Sequence, residues 1–138
     1  MILQSTPVLT VADIEESESF FVKLGFRRTV EVPHGDGLGF VILTLGGDAG
    51  GDGGIGVMLE TPEAGSADTG LPPETFAPGS RLFMSVADLA AAEKALEGYE
   101  IALPRRTTFY GAIETGWREP GGNFVIVAQF AANSPDEG

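Results

Sequence analysis

The sequence predicts an α+β fold built from two copies of one strand, helix, strand, strand, strand unit, and two observations carry that prediction. Val11-Ala12-Asp13-Ile14 returns as Val86-Ala87-Asp88-Leu89, 75 residues later. Each copy follows a short alternating run and precedes a segment with helical apolar spacing. At 138 residues the chain is long enough for one domain with its own core, without disulfides.

In the first unit, Pro7, Leu9 and Val11 alternate with Thr6, Val8 and Thr10, giving a strand with one strongly apolar face. Asp13 suits a helix N-cap, and Glu16 three residues on completes a capping box. Ile14, Phe20, Phe21 and Leu24 form an apolar stripe, acidic residues fill the first turns, and Gly25 suits the C-terminal stop. Residues 26–32 and 38–45 read as strands joined by the turn Pro33-His34-Gly35-Asp36-Gly37, and Ile55–Glu60 as a fourth strand. The second unit repeats the order. Leu82, Met84 and Val86 alternate with Arg81, Phe83 and Ser85; Asp88 caps a helix that buries Leu89, Ala92, Ala95 and Leu96; and Gly98 ends it. Residues 101–107, 113–118 and 124–130 supply three further strands. This divides the single domain into a unit at 5–62, a Pro- and Gly-containing linker at 63–80, a unit at 81–131 and a flexible tail at 132–138. The stretch from Gly46 to Gly54 lacks the Gly-Lys-Ser/Thr ending of a phosphate loop, and Asp48 and Asp52 would repel phosphate; it reads as a mobile hairpin loop.

Composition closes several routes. There is no cysteine, so there is no disulfide framework, thiolate nucleophile or iron–sulfur cluster. A single histidine, His34, excludes sites that need two imidazoles, and its place in a turn suggests an exposed loop residue. Twenty acidic against eight basic residues give a net charge of −12, which opposes a nucleic-acid partner and otherwise favours solubility. No run reaches the length of a membrane span and the start lacks signal-peptide character, so a soluble cytoplasmic protein without membrane partners is expected.

Three segments resemble the vicinal oxygen chelate superfamily, also called glyoxalase/bleomycin resistance protein/dioxygenase. They are Val8-Leu9-Thr10-Val11-Ala12-Asp13-Ile14; Phe20-Phe21 with Leu24-Gly25-Phe26; and Tyr110-Gly111 followed by Glu119-Pro120-Gly121-Gly122-Asn123-Phe124. The resemblance spans about residues 5–130 and is most specific in its last segment. It implies paired βαβββ modules whose curled mixed sheets form a cup, helices outside and site inside, often within a homodimer. Strand alternation then turns Thr6, Val8 and Thr10, and Arg81, Phe83 and Ser85, toward the cup.

The resemblance also implies four metal-ligand positions. Carried over by spacing from Asp13, Asp88 and Asn123, they fall on Thr6, Arg81, Ile126 and, less securely aligned, Glu60. Only Glu60 has ligand chemistry, and an arginine opposes a cation. The expectation is a cup without metal or other cofactor, the alternative being one divalent ion. Arg81 suits bidentate capture of an anion, or a salt bridge to Glu60 across the cup. Glu60 suits a general base if burial raises its pKa. Thr6, Thr10 and Ser85 supply polar lining, while Phe109, Tyr110 and Trp117 are either pocket walls or ordinary core. Arg105 and Arg106, adjacent on a strand, point to opposite faces. The reading is a glyoxalase/bleomycin-resistance-like protein that binds or sequesters a small molecule, as a homodimer. The alternative is a metal-dependent lyase, isomerase or dioxygenase of the same superfamily acting on a small oxygenated substrate.

Overall fold

In a computed structural model that describes residues 1–46 and 54–131, the chain runs β1 (Val8–Thr10), α1 (Ile14–Lys23), β2 (Arg27–His34), β3 (Gly37–Leu45), β4 (Ile55–Glu60), α2 (Pro62–Thr69), a 3₁₀ turn (Pro73–Thr75), β5 (Arg81–Ser85), α3 (Leu89–Ala95), β6 (Glu100–Thr107), β7 (Ala112–Arg118) and β8 (Phe124–Phe130). The expected mobile loop at 46–54, but for its two end residues, and the expected tail at 132–138 lie outside the described residues. The strands make two four-stranded mixed sheets of one topology, β1-β4-β3-β2 and β5-β8-β7-β6. In each the first strand is parallel to the last and the others are antiparallel.

Local chemistry sets the helix ends. Asp13 accepts from the Glu16 N–H at 3.1 Å and Asp88 from the Ala91 N–H at 3.2 Å, each satisfying a donor the first turn leaves unpaired. Gly25 and Gly98 follow the two helices at φ 103° and 95°, backbone that a side chain would strain. Two segments differ from the sequence expectation. β2 continues through Pro33 and His34, leaving only Gly35-Asp36 as the turn; β2 is an edge strand, where a proline withdraws no ladder hydrogen bond from a neighbour. The segment read as a linker begins with a helix. Thr61 caps it by accepting from the Ala64 N–H, Pro62 occupies its first position and Gly70 closes it in the left-handed region.

The helix-side faces of the two sheets share one core. Leu9, Val11, Phe20, Phe21, Leu43 and Leu59 from the first unit pack in the same cluster as Leu89, Leu96, Trp117, Val125 and Val127 from the second. Each large buried side chain contributes about 1.5–3 kcal/mol. Polar contacts cross the same seam: Ser19 Oγ lies 2.8 Å from the Tyr99 hydroxyl, whose ring meets Phe20 edge-on at 5.1 Å.

The segment from Glu119 to Asn123 fastens the seam. The fully buried Asn123 amide donates to the Thr10 carbonyl at 3.0 Å and to Glu119 Oε1 at 2.9 Å, and its oxygen accepts from the Gly79 and Ser80 N–H groups at 3.0 and 2.9 Å. Glu119 in turn accepts from the Gly121 and Asn123 backbone N–H groups. Gly121 is needed for closeness, because a Cβ there would lie 2.6 Å from Val11 Cγ1 and 2.7 Å from Ser17 Oγ. With the helix-side faces turned to each other, the opposite face of each sheet is left open.

Candidate functional site

Strand alternation places the candidate residues on those two open faces. On the first sheet, Thr10 is in register with Glu60, Val8 with Met58, and Glu60 with Phe40. Thr6, just before β1, accepts from the Gln4 amide and packs over Gly56, so Thr6, Thr10 and Glu60 share this face. Helix α2 lies across its end. A Cβ on Gly65 would meet Glu60 Oε1 at 2.8 Å, and one on Gly39 would meet His34 Cβ and Ala64 Cβ at 2.6 and 2.7 Å. The helix thereby walls a cavity of about 280 Å³ lined by Val32, His34, Phe40, Glu60, Ala64 and Asp68. Burial, and then the Asp68 charge, hold the Glu60 carboxyl above the usual carboxylate range. His34 is exposed, as expected of it, but ends a strand and borders this cavity.

On the second sheet, Arg81 is in register with Phe124, Phe83 with Ile126 and Ser85 with Ala128; β7 adds Arg118, Gly116 and Glu114 to the same rows. Arg118 stacks over the Phe124 ring, its Cζ 5.6 Å from the centroid, and donates to the Gly122 carbonyl. Phe83 is 45% exposed and meets Tyr110 and Phe130 edge-on at 6.4 and 6.2 Å. Glu114 is fully buried in the strand; it accepts from Arg106 Nε at 2.9 Å and from the Tyr110 hydroxyl. That hydrogen bond, with burial second, raises the Tyr110 pKa, and the Glu114 contact likewise raises that of Arg106. Arg105 turns the other way, to Glu93, as alternation requires.

Three expectations need correction. Trp117 is 1% exposed in the shared core and does not line a cup, because the parity that puts Glu114 and Gly116 on the open face puts Trp117 on the helix side. Phe109 does not form a pocket wall within the chain: it is 99% exposed at the β6–β7 turn, edge-on to Tyr110. Glu60 and Ile126 are not equivalent positions: Phe83 pairs with Ile126 as Val8 pairs with Met58, while Glu60, opposite Thr10, corresponds to Ala128, opposite Ser85, so the register removes Glu60 rather than Ile126 from the implied ligand set. Within one chain Glu60 and Arg81 do not meet: the ion pairs formed among the described residues leave both out.

Spacing had not singled out Glu114. Its signal was a glutamate between Ile113 and Thr115, two residues ahead of Gly116 and three ahead of Trp117, in the middle of a strand. Asp68 and Phe130 were likewise missed as site residues, whereas alternation had turned Phe83 to this face without the Tyr110 and Phe130 contacts it makes there. Asp68 belongs to a helix without apolar periodicity, and the Phe83 and Phe130 contacts depend on non-local pairing.

The implied metal does not suit these side chains. Thr6, Arg81, Ile126 and Glu60 offer one carboxylate and one opposing cation, where a catalytic ion takes about three protein ligands. Among the described residues, no group of three or more His, Asp or Glu is arranged to hold an ion.

Two βαβββ units with one strand order, joined at their helix-side faces, define the fold of the glyoxalase/bleomycin resistance protein/dioxygenase superfamily. Solved structures with this fold include a superfamily member from Sphaerobacter thermophilus (TM-score 0.70, 20% identity, 94% of this chain and 98% of that one). A glyoxalase-related enzyme from Clostridium phytofermentans is similar as well (TM-score 0.70, 16% identity, 94% and 96%). So is a bleomycin resistance determinant encoded on transposon Tn5 (TM-score 0.60, 20% identity, 94% and 99%). No family model and no curated protein matches the sequence.

Proposed function

We propose that this protein binds a small molecule without metal, as a homodimer whose second copy closes a ligand cup over the open sheet faces without filling it. The observation that carries the reading is the side-chain chemistry at the four implied ligand positions: Thr6, Arg81 and Ile126 leave Glu60, the least securely aligned of them, alone as a donor. What stands there instead suits recognition, with a guanidinium, hydroxyls and partly exposed aromatic rings in place of a coordination sphere. Support for a dimer comes from the apolar groups left in water, Val8, Val32 and Phe83 at 49%, 46% and 45% exposure, on faces that point away from each other. The Tn5-encoded neighbour, a bleomycin resistance determinant, shares this fold.

No helix among the described residues is long and apolar enough to cross a membrane. The test is metal analysis of protein purified without chelator, calorimetric titration with divalent ions, and sedimentation. The expected result is a dimer that takes up no stoichiometric transition metal and gains thermal stability with a subset of small molecules. Stoichiometric binding of such a metal overturns the reading in favour of a metalloenzyme.

A further inference from the structure

We infer that the open face of the second sheet selects a planar aromatic carboxylate, its ring against Phe83 and its anion on Arg81; this rests on the small-molecule reading above. Of the eight basic residues in the sequence, three, Arg81, Arg106 and Arg118, stand on this one face. They are not equivalent. Arg106 is neutralised by Glu114, and Arg118 is held over the Phe124 ring with a bond to the Gly122 carbonyl. Arg81 is exposed and forms no ion pair among the described residues, in a chain where acidic side chains outnumber basic ones 20 to 8.

A free guanidinium, with a second fixed cation in the same row two strands away, is a site for a carboxylate, which it grips through two parallel N–H donors. Phe83 follows two residues along the same face, about 7 Å away at the usual strand rise. That spacing matches a carboxylate joined directly to a fused aromatic ring. Phe83 has Tyr110 and Phe130 edge-on to it, so its exposed side is the surface left for a ligand ring. Beyond it Ser85 offers a neutral hydroxyl, and the Glu114 carboxylate is already satisfied by Arg106 and Tyr110, so no free charge stands at the far end.

Three probes that share a ring and differ in charge test this on the full chain: 1-naphthoate, 1-naphthylmethylammonium and 1-naphthalenemethanol, titrated calorimetrically at pH 7.5 and low salt. The naphthoate should bind at least about tenfold more tightly than the ammonium, the range a charge-assisted hydrogen bond supplies. Arg81→Gln should remove that advantage while leaving the neutral alcohol within about twofold, and Phe83→Ala should weaken both the acid and the alcohol. Arg81 is an exposed residue at a strand start, so its variant is expected to keep the wild-type melting temperature. Preference for the ammonium or the alcohol over the acid that persists in Glu60→Gln, or an acid affinity unmoved by Arg81→Gln, overturns this inference and leaves the small-molecule reading standing. Failure of all three probes to bind counts against both.

Discussion

Removing the Asn123 side chain should be among the costliest single changes, because that amide joins the two units at a fully buried point. Asn123→Ala deletes four hydrogen bonds, to the Gly79 and Ser80 N–H groups, the Thr10 carbonyl and Glu119. At about 1 kcal/mol net for each, the loss is about 4 kcal/mol, a large part of the roughly 5–15 kcal/mol that holds a domain together. For a chain of this size the melting temperature should fall by about 12 °C. Asn123→Asp keeps the shape and the acceptor toward Gly79 and Ser80, but replaces the donor with an oxygen facing the Thr10 carbonyl and the Glu119 carboxylate.

Ionisation of that aspartate is disfavoured in the folded protein and free in the unfolded chain, so the native state binds more protons and stability falls as pH rises. Urea unfolding of both variants from pH 5 to pH 8 is the assay. Asn123→Asp should lose stability relative to Asn123→Ala as pH increases. A cost below about 1 kcal/mol for the alanine variant, or a difference between the two that does not change with pH, refutes the latch.

Other positions give sharper but smaller expectations. Trp117→Phe should cost about 2 kcal/mol in denaturant unfolding through lost core contacts, and leave calorimetric ligand affinity unchanged. Ser17 Oγ is buried with no hydrogen-bond partner, so Ser17→Ala should be neutral or stabilising by up to about 1 kcal/mol in the same measurement. Because the folded pKa of Glu60 is raised, its ionisation weakens the native state as pH climbs through the carboxylate range. Glu60→Gln should therefore be more stable than wild type at pH 7, an advantage that vanishes below the unfolded pKa of about 4.3, and Asp68→Asn should lower the Glu60 midpoint in an NMR titration. Gly116→Ala drives a Cβ to 2.6 Å from the Phe124 ring and should cost about 1–3 kcal/mol by thermal unfolding.

What could be read from the sequence was whatever is encoded within a few residues. Asp13 and Asp88 announce helix starts because the cap bond reaches only three residues on, and the alternation of Pro7, Leu9 and Val11 with Thr6, Val8 and Thr10 sorts one strand's faces without its partners. Helix α2 escaped that reading because its residues carry no apolar stripe; Thr61-Pro62-Glu63 was its only local signal. The same alternation would have removed Trp117 from the candidate site, since Ile113, Thr115 and Trp117 share a side that Glu114 does not. Seeing that Glu60 and Ile126 are not equivalent positions needs the β5–β8 register, a pairing across about forty residues that no local pattern specifies.

The two units also show where the repeat is kept and where it is broken. On the helix side, residues 75 apart stay apolar, Leu9 with Met84 and Val11 with Val86, because both units contribute to one core and a polar group there would be buried without a partner. On the open face the same spacing pairs Thr6 with Arg81, Val8 with Phe83 and Thr10 with Ser85, while register pairs Glu60 with Ala128. Every change on that face alters charge, ring character or size, yet none is required by packing within the chain. One open face therefore ends in the carboxylates Glu60 and Asp68 and the other in the guanidinium of Arg81, so a ligand that meets one face meets chemistry of opposite sign on the other. Charge-swapped probes on Arg81→Gln and Glu60→Gln variants should accordingly separate the two faces, each variant weakening only the probe of opposite charge to the side chain it lacks.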